Sequence, residues 1–138
     1  MRVYVDSSAL IKRSINETES DALEAVLAAH AADEAALMSS SLAWIEVGRA
    51  LRALDSATSD PVDVGEAVEE TLSGVAERPI TADVVSLARR VAPPTLRTLD
   101  AIHLATAILL DADVVLTYDK RLARACRYND LTTVAPGW

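Results

Sequence analysis

Four carboxylates stand out by where they fall in the chain: Asp6, Glu46, Asp100 and Asp119. Asp6 ends the β-branched run RVYV at residues 2–5, and Asp119 follows the apolar run DVVLT at 113–117. In open parallel sheets, ligands bind beyond the carboxyl ends of the strands. The two acids are therefore expected to face one crevice, provided their strands are neighbours. Each could equally do no more than cap the helix that follows it. Glu46 sits differently. On a wheel of about 100° per residue with Leu42 at zero, Glu46 points near about 40°, on the shoulder of the stripe formed by Ala43, Val47, Ala50 and Leu54. A carboxylate there needs a partner, either an arginine or a shared cation. Asp100 stands at the mouth of the apolar helix LDAIHLATAILL, where an acid also interacts favourably with the helix N-terminus and Thr98 is the expected cap.

Carboxylates gathered in one place repel, and their pKa values rise unless a cation is present. Oxygen donors of this kind suit Mg²⁺, with Mn²⁺ as a substitute. A carboxylate-held divalent ion suits phosphodiester hydrolysis, because it helps make a nucleophile from water and stabilises a leaving oxygen. His103, three residues after Asp100, shares its side of the helix. It is a ligand, a base or a packing histidine, and the packing role is the expectation. Tyr118 could stack on a base or pack at the rim.

The surrounding pattern must position these groups. Strands are expected at 2–5, 36–40, 77–81, 113–117 and 131–134. Helices are expected at 7–13, 18–31 (capped by Thr18), 41–54, 62–74 (closed by Gly74), 82–92, 99–110 and 119–126. The DSATSDP stretch at 55–61 reads as a polar connection, and Pro93 and Pro94 as a helix stop. Strands alternating with helices predict an α/β fold, a parallel sheet of about five strands flanked by helices.

The chain has 138 residues, which suits one domain spanning 1–138. With 51% apolar and 25% charged residues it reads as globular, and the absence of Phe leaves Ala, Val and Leu to build the core. A single cysteine, Cys126, excludes an internal disulfide and fits the reducing cytoplasm. One Cys with His30 and His103 cannot build a zinc site. The opening MRVYVDSSALIKR has no long apolar run and no small-residue cleavage site, so no signal peptide is expected there. No run approaches the about 18 apolar residues of a membrane span. The net charge of −8 runs against an electrostatic nucleic-acid binder. The cations are nevertheless grouped: Lys12 with Arg13, Arg49 with Arg52, Arg89 and Arg90 with Arg97, and Lys120, Arg121, Arg124 and Arg127 together. Each group reads first as a solvated helix face.

The ordered set VDSSAL, SSLAWIEVGRAL, LDAIHLATA and LTYDKRL resembles the PIN-domain ribonucleases, most of all the VapC-type toxins of bacterial toxin–antitoxin pairs. The resemblance covers essentially the whole chain. It implies an endoribonuclease whose acidic metal site is Asp6, Glu46, Asp100 and Asp119, with Asp6 and Asp100 the most direct Mg²⁺ ligands. Ser8 and Thr117 would stand behind them as contacts to ligands or metal-bound water. It also implies a homodimer, and a cognate antitoxin that blocks the site with a basic side chain. Two other classes compete. A receiver-like domain or aspartyl phosphatase also needs an Asp after a strand, but the phosphatase wants Asp-x-Asp where this chain has Asp6-Ser7-Ser8. A non-catalytic binding module would keep the fold without turnover.

Overall fold

The computed structural model describes residues 1–56 and 63–138. Its elements are β1 (Arg2–Val5), α1 (Ser7–Ile11), α2 (Ser20–Ala32), β2 (Ala36–Ser40), α3 (Ser41–Ser56), α4 (Val64–Thr71), β3 (Val75–Arg78), α5 (Ala82–Ala88), α6 (Thr98–Leu109), β4 (Val114–Leu116), α7 (Lys120–Tyr128) and β5 (Thr133–Val134). The strands form one parallel sheet in the order β3-β2-β1-β4-β5. The chain builds outward from β1 to β3 and then crosses back to lay β4 and β5 on the other side. The order therefore reverses between β1 and β4, which pair with Val5 opposite Leu116. In open α/β sheets the ligand crevice lies at such a reversal.

Alternation along β1 sorts the core onto two faces. Val3 and Val5 pack with Leu10, Leu23, Leu27, Val47 and Leu51 from α1, α2 and α3. Tyr4, between them, points the other way and packs with Leu104, Ala107, Leu122 and Cys126 from α6 and α7. Helices on both faces explain why the central strands β1 (from Val3) and β4 read as apolar runs with no polar side.

Three helices hand the chain to the next strand by one device. The residue after the C-cap is left-handed: Glu34 (φ 57°), Asp111 (φ 51°) and Asp130 (φ 62°). The following N–H then reaches back across the last turn, from Ala35 to His30 O, Ala112 to Ala107 O and Leu131 to Cys126 O. This is the Schellman closure, whose following residue commonly makes an apolar contact. Ala112 and Leu131 do so, packing in the α6–α7 core.

Several boundaries differ from expectation. Thr18 does not cap α2; Glu19 holds that position without a side-chain bond. The entry is fixed instead by Ser20, whose Oγ accepts from Glu17 N (2.9 Å) and donates to Lys12 O (2.8 Å). Arg97, and not Thr98, occupies the cap position of α6, in extended backbone. α5 ends at Ala88 with Arg89 as its C-cap, short of the expected end at 92. β3 lies earlier than the expected 77–81 and stops at Arg78, because Pro79 has no N–H to give the ladder. Of the expected polar connection and the helix start at 62, residues 57–62 lie outside the described residues. From Val64 the helix is present, capped by Asp63 accepting from Glu66 N at 3.1 Å.

Glu34 makes no ion pair or side-chain bond among the described residues, and its left-handed backbone strains any residue with a Cβ. Glu34→Gly is expected to stabilise the protein by about 0.5–1 kcal/mol, the strain relief exceeding glycine's entropy cost. Urea denaturation checks this through a higher midpoint at unchanged slope.

Candidate active site

Asp6 follows β1 directly and caps α1, accepting from Ala9 N at 3.1 Å through Oδ1. Two hydroxyls complete its cradle: Ser8 Oγ donates to Oδ1 and Thr117 Oγ1 to Oδ2, both at 2.7 Å. Each hydroxyl in turn accepts a backbone N–H, Ser8 from Tyr118 (2.9 Å) and Thr117 from Asp119 (3.0 Å). The accepted bonds fix both hydroxyl protons toward Asp6. The loop after β4 thus clamps the acid after β1 across the sheet's switch point. Asp6 is 3% exposed. Burial pushes its carboxyl above the ordinary range, while His103, the two hydroxyls and Ala9 N–H oppose the rise. A carboxylate offers about four lone-pair positions, and these donors occupy three, leaving one on Oδ2.

Asp119 caps α7 with Oδ1, accepting from Arg121 N (2.8 Å) and Leu122 N (3.1 Å). Both readings of this residue hold at once: it is a helix cap and it stands at the crevice. Asp100, in the first turn of α6, is 9% exposed and takes no hydrogen bond among the described residues. Burial raises its pKa, the Asp119 charge raises it further, His103 opposes, Asp6 adds to it, and Arg97 opposes. Asp6, Asp100 and Asp119 therefore lie within electrostatic reach at one sheet edge, although they come from β1, α6 and the β4–α7 loop.

Glu46 finds neither an arginine nor one of these acids. Its Oε1 lies 2.7 Å from His103 Nε2. His103 is 3% exposed, and its Nδ1 lies 2.6 Å from Tyr4 Oη. Tyr4 Oη accepts from Ser40 N at 3.3 Å. The imidazole thus bridges the Tyr4 hydroxyl at Nδ1 and the Glu46 carboxylate at Nε2. Burial drives the Tyr4 hydroxyl pKa upward, with the nearby Asp6 and Glu46 charges adding to that rise, so the phenol keeps its proton. One run of bonds joins β2, β1, α6 and α3. Tyr4 escaped the sequence reading because it sits in an apolar run. The signal was a lone hydroxyl in a central strand, which must find a partner when buried.

Tyr118 is not available to stack on a base. It is 8% exposed, donates to Pro136 O at 2.8 Å, and is covered by Trp138 edge-on and by the Lys12 ammonium. Trp44 packs half-buried against the β1–α3 core.

Among the described residues, no three His, Cys, Asp or Glu side chains stand together as a group that could hold a metal ion as they are placed. The donor set nonetheless fits a hydrated hard ion. It is all oxygen, two of its acids carry raised pKa values, and Mg²⁺ typically takes one or two carboxylates and keeps several waters.

The comparisons bear on the family and the fold. Residues 3–128 match the PIN domain family. The chain is 34% identical over 137 residues to Ribonuclease VapC47 of Mycobacterium tuberculosis, covering 98% of this chain and 97% of the relative. It is 38% identical to Ribonuclease VapC46 of the same organism, covering 97% of each. The crystal structure of VapBC2 from Rickettsia felis, bound to a DNA fragment from its promoter, superposes with a TM-score of 0.74 at 13% identity, covering 97% of this chain and 98% of that one. Among the described residues no helix is long and apolar enough to cross a membrane.

Two measurements check the site. Tyr4→Phe leaves His103 Nδ1 and Ser40 N without their partner in a buried setting. It is expected to cost about 1–3 kcal/mol by denaturant titration. Asp100→Asn removes a charge that the fold penalises. A raised folded pKa means the penalty is complete above that pKa and fades as pH falls through it toward the unfolded value. In chelator, the variant should melt above the wild type at pH 7, and the difference should shrink on acidification. A variant that melts lower at pH 7 contradicts the repulsion. The receiver-like and phosphatase readings give way: the chain belongs to the PIN-domain family of VapC ribonucleases.

Proposed function

We propose that this chain is a single-domain Mg²⁺-dependent endoribonuclease acting in the cytoplasm as the toxin of a toxin–antitoxin pair, with Asp6, Asp100, Asp119 and Glu46 as its acidic centre. The observation that carries the reading is Asp100, buried at the switch point without a hydrogen bond among the described residues and repelled there by the charges of Asp119 and Asp6. Burial of repelling carboxylates costs stability unless a cation joins them.

Asp6 and Asp100 would be the direct ligands, with Mn²⁺ an acceptable substitute. Bound there, Mg²⁺ would supply a nucleophile from water at neutral pH and charge to stabilise the leaving oxygen. Ser8 and Thr117 aim Asp6 and oppose the upward shift that burial imposes on its carboxyl. Asp100, with no hydrogen bond to break, is free to turn its oxygens to the ion. Asp119 keeps Oδ2 outside its capping bonds. Glu46 is held by His103 so that Oε1 is committed and Oε2 remains.

The antitoxin, expected to be encoded alongside, would neutralise this centre with a basic side chain. VapBC2, the structural neighbour, is supporting company for such a partner. Exposed apolar side chains on and beside α5 and α6, namely Ile80, Val85 and Leu99, support a protein–protein contact there, including a homodimer.

Asp6→Asn or Asp100→Asn is expected to reduce Mg²⁺-dependent cleavage of total RNA by at least about 100-fold, the scale of losing one preorganised electrostatic group. Gel analysis reads cleavage, and circular dichroism confirms the fold. Undiminished cleavage by the folded Asp100→Asn protein refutes the assigned centre.

A further inference from the structure

The cations of this acidic chain are not equivalent. Lys12 is consumed by Glu17 and Glu19 and by the Tyr118 ring, and Arg13 is bonded to the carbonyls of Thr71 and Ser73. The α7 group differs. Leu122, Ala125 and Cys126 face the core, while Lys120, Arg121, Arg124 and Arg127 are exposed, and none has an ion pair among the described residues; Lys120 lies over the Trp138 ring and Arg127 donates to Thr133 Oγ1, which leaves the Arg121 and Arg124 side chains without a partner there. In a chain of net charge −8, four neighbouring cations left without carboxylates mark a surface kept for an external anion.

Arg121 and Arg124 line a cavity of ≈ 440 Å³ with Arg97, over an apolar wall of Pro93, Leu96 and Ala125. Tyr128 closes its edge and is 69% exposed. Two of these walls are continuous with the acidic centre. Arg97 stands three residues before Asp100, and its charge is felt there. Arg121 donates its backbone N–H to Asp119 Oδ1 at 2.8 Å. The cavity therefore opens beside the reacting edge of the sheet.

We propose that this cavity is a nucleotide subsite for the RNA strand, in which Arg97, Arg121 and Arg124 hold backbone phosphate and Tyr128 stacks on a base next to the scissile bond. The volume is that of a small-molecule pocket and admits a nucleotide, not a folded element. Guanidiniums match phosphate bidentately, and an exposed aromatic ring beside them is the pairing that single-stranded nucleic acid uses. An acidic peptide would use the arginines but leaves the apolar wall and Tyr128 unexplained. The subsite rests on the ribonuclease reading, deepening it by naming how the strand is held.

The test separates the two. Binding of a labelled pool of single-stranded oligoribonucleotides is measured with the Asp100→Asn protein, so turnover does not enter, across a salt series. Arg124→Gln should weaken binding about tenfold and lower the slope of log K against log salt by about 0.7, one released phosphate contact. Arg124→Lys should retain part of the affinity. Tyr128→Ala should weaken binding about tenfold while Tyr128→Phe keeps it. Arg52→Gln, an exposed arginine on α3, should change neither. In the cleaving protein, Arg124→Gln should raise KM with kcat within about twofold. If Arg124→Gln and Tyr128→Ala bind RNA as the parent does, or Arg124→Gln matches Arg52→Gln, the subsite is overturned while the acidic centre stands. The same holds if Arg124→Gln loses only binding to the antitoxin.

Discussion

The clamp on Asp6 is the constraint from which the rest of this structure follows. A carboxylate 3% exposed, beside a strand end, stays in place only because Ser8, Thr117 and Ala9 N–H saturate most of its lone pairs. Those donors come from two segments that meet only when β1 pairs with β4. The clamp is therefore a product of the sheet order, and it locks that order in return: Tyr118 N–H and Asp119 N–H complete the hydroxyl bonds and fix the loop after β4. Once the loop is fixed, Asp119 caps α7 at the same edge, and α7 sets Arg121 and Arg124 in the cavity beside it.

Stability and function pull in opposite directions here. Asp100 contributes no hydrogen bond, and burial first, then the charges of Asp119 and Asp6, make its ionised form unfavourable. A fold selected for stability alone has no reason to place it there. Strain of this sort is found where a site is preorganised, and a bound cation would convert the repulsion into binding energy. The Tyr4–His103–Glu46 chain shows the complementary strategy. There the buried polar groups are fully paired, so they rigidify the approach to the site at little cost.

The sequence disclosed the acids at strand ends because an apolar run that stops at an Asp is a local pattern. RVYV before Asp6 and DVVLT before Asp119 carry it, and the parallel sheet follows from strands without a polar face. What pairs with what was not local. Glu46 was seen to need a partner, but its partner lies 57 residues away in sequence and depends on a tyrosine hidden in β1. The helix closures at Glu34, Asp111 and Asp130 were invisible because the left-handed position is usually announced by glycine. Tyr118 and Tyr128 flank one helix with similar neighbours, and only packing decides that the first is covered and the second exposed.

Binding of Mn²⁺ to the metal-free protein, followed by the loss of its free-ion electron paramagnetic resonance signal, tests the central claim most directly. The wild type should take up the ion stoichiometrically, and Mg²⁺ should displace it. Asp6→Asn should lose that uptake while remaining folded. Equal uptake by the folded variant, or none by the wild type, would contradict the proposal that these carboxylates are brought together to hold a divalent cation.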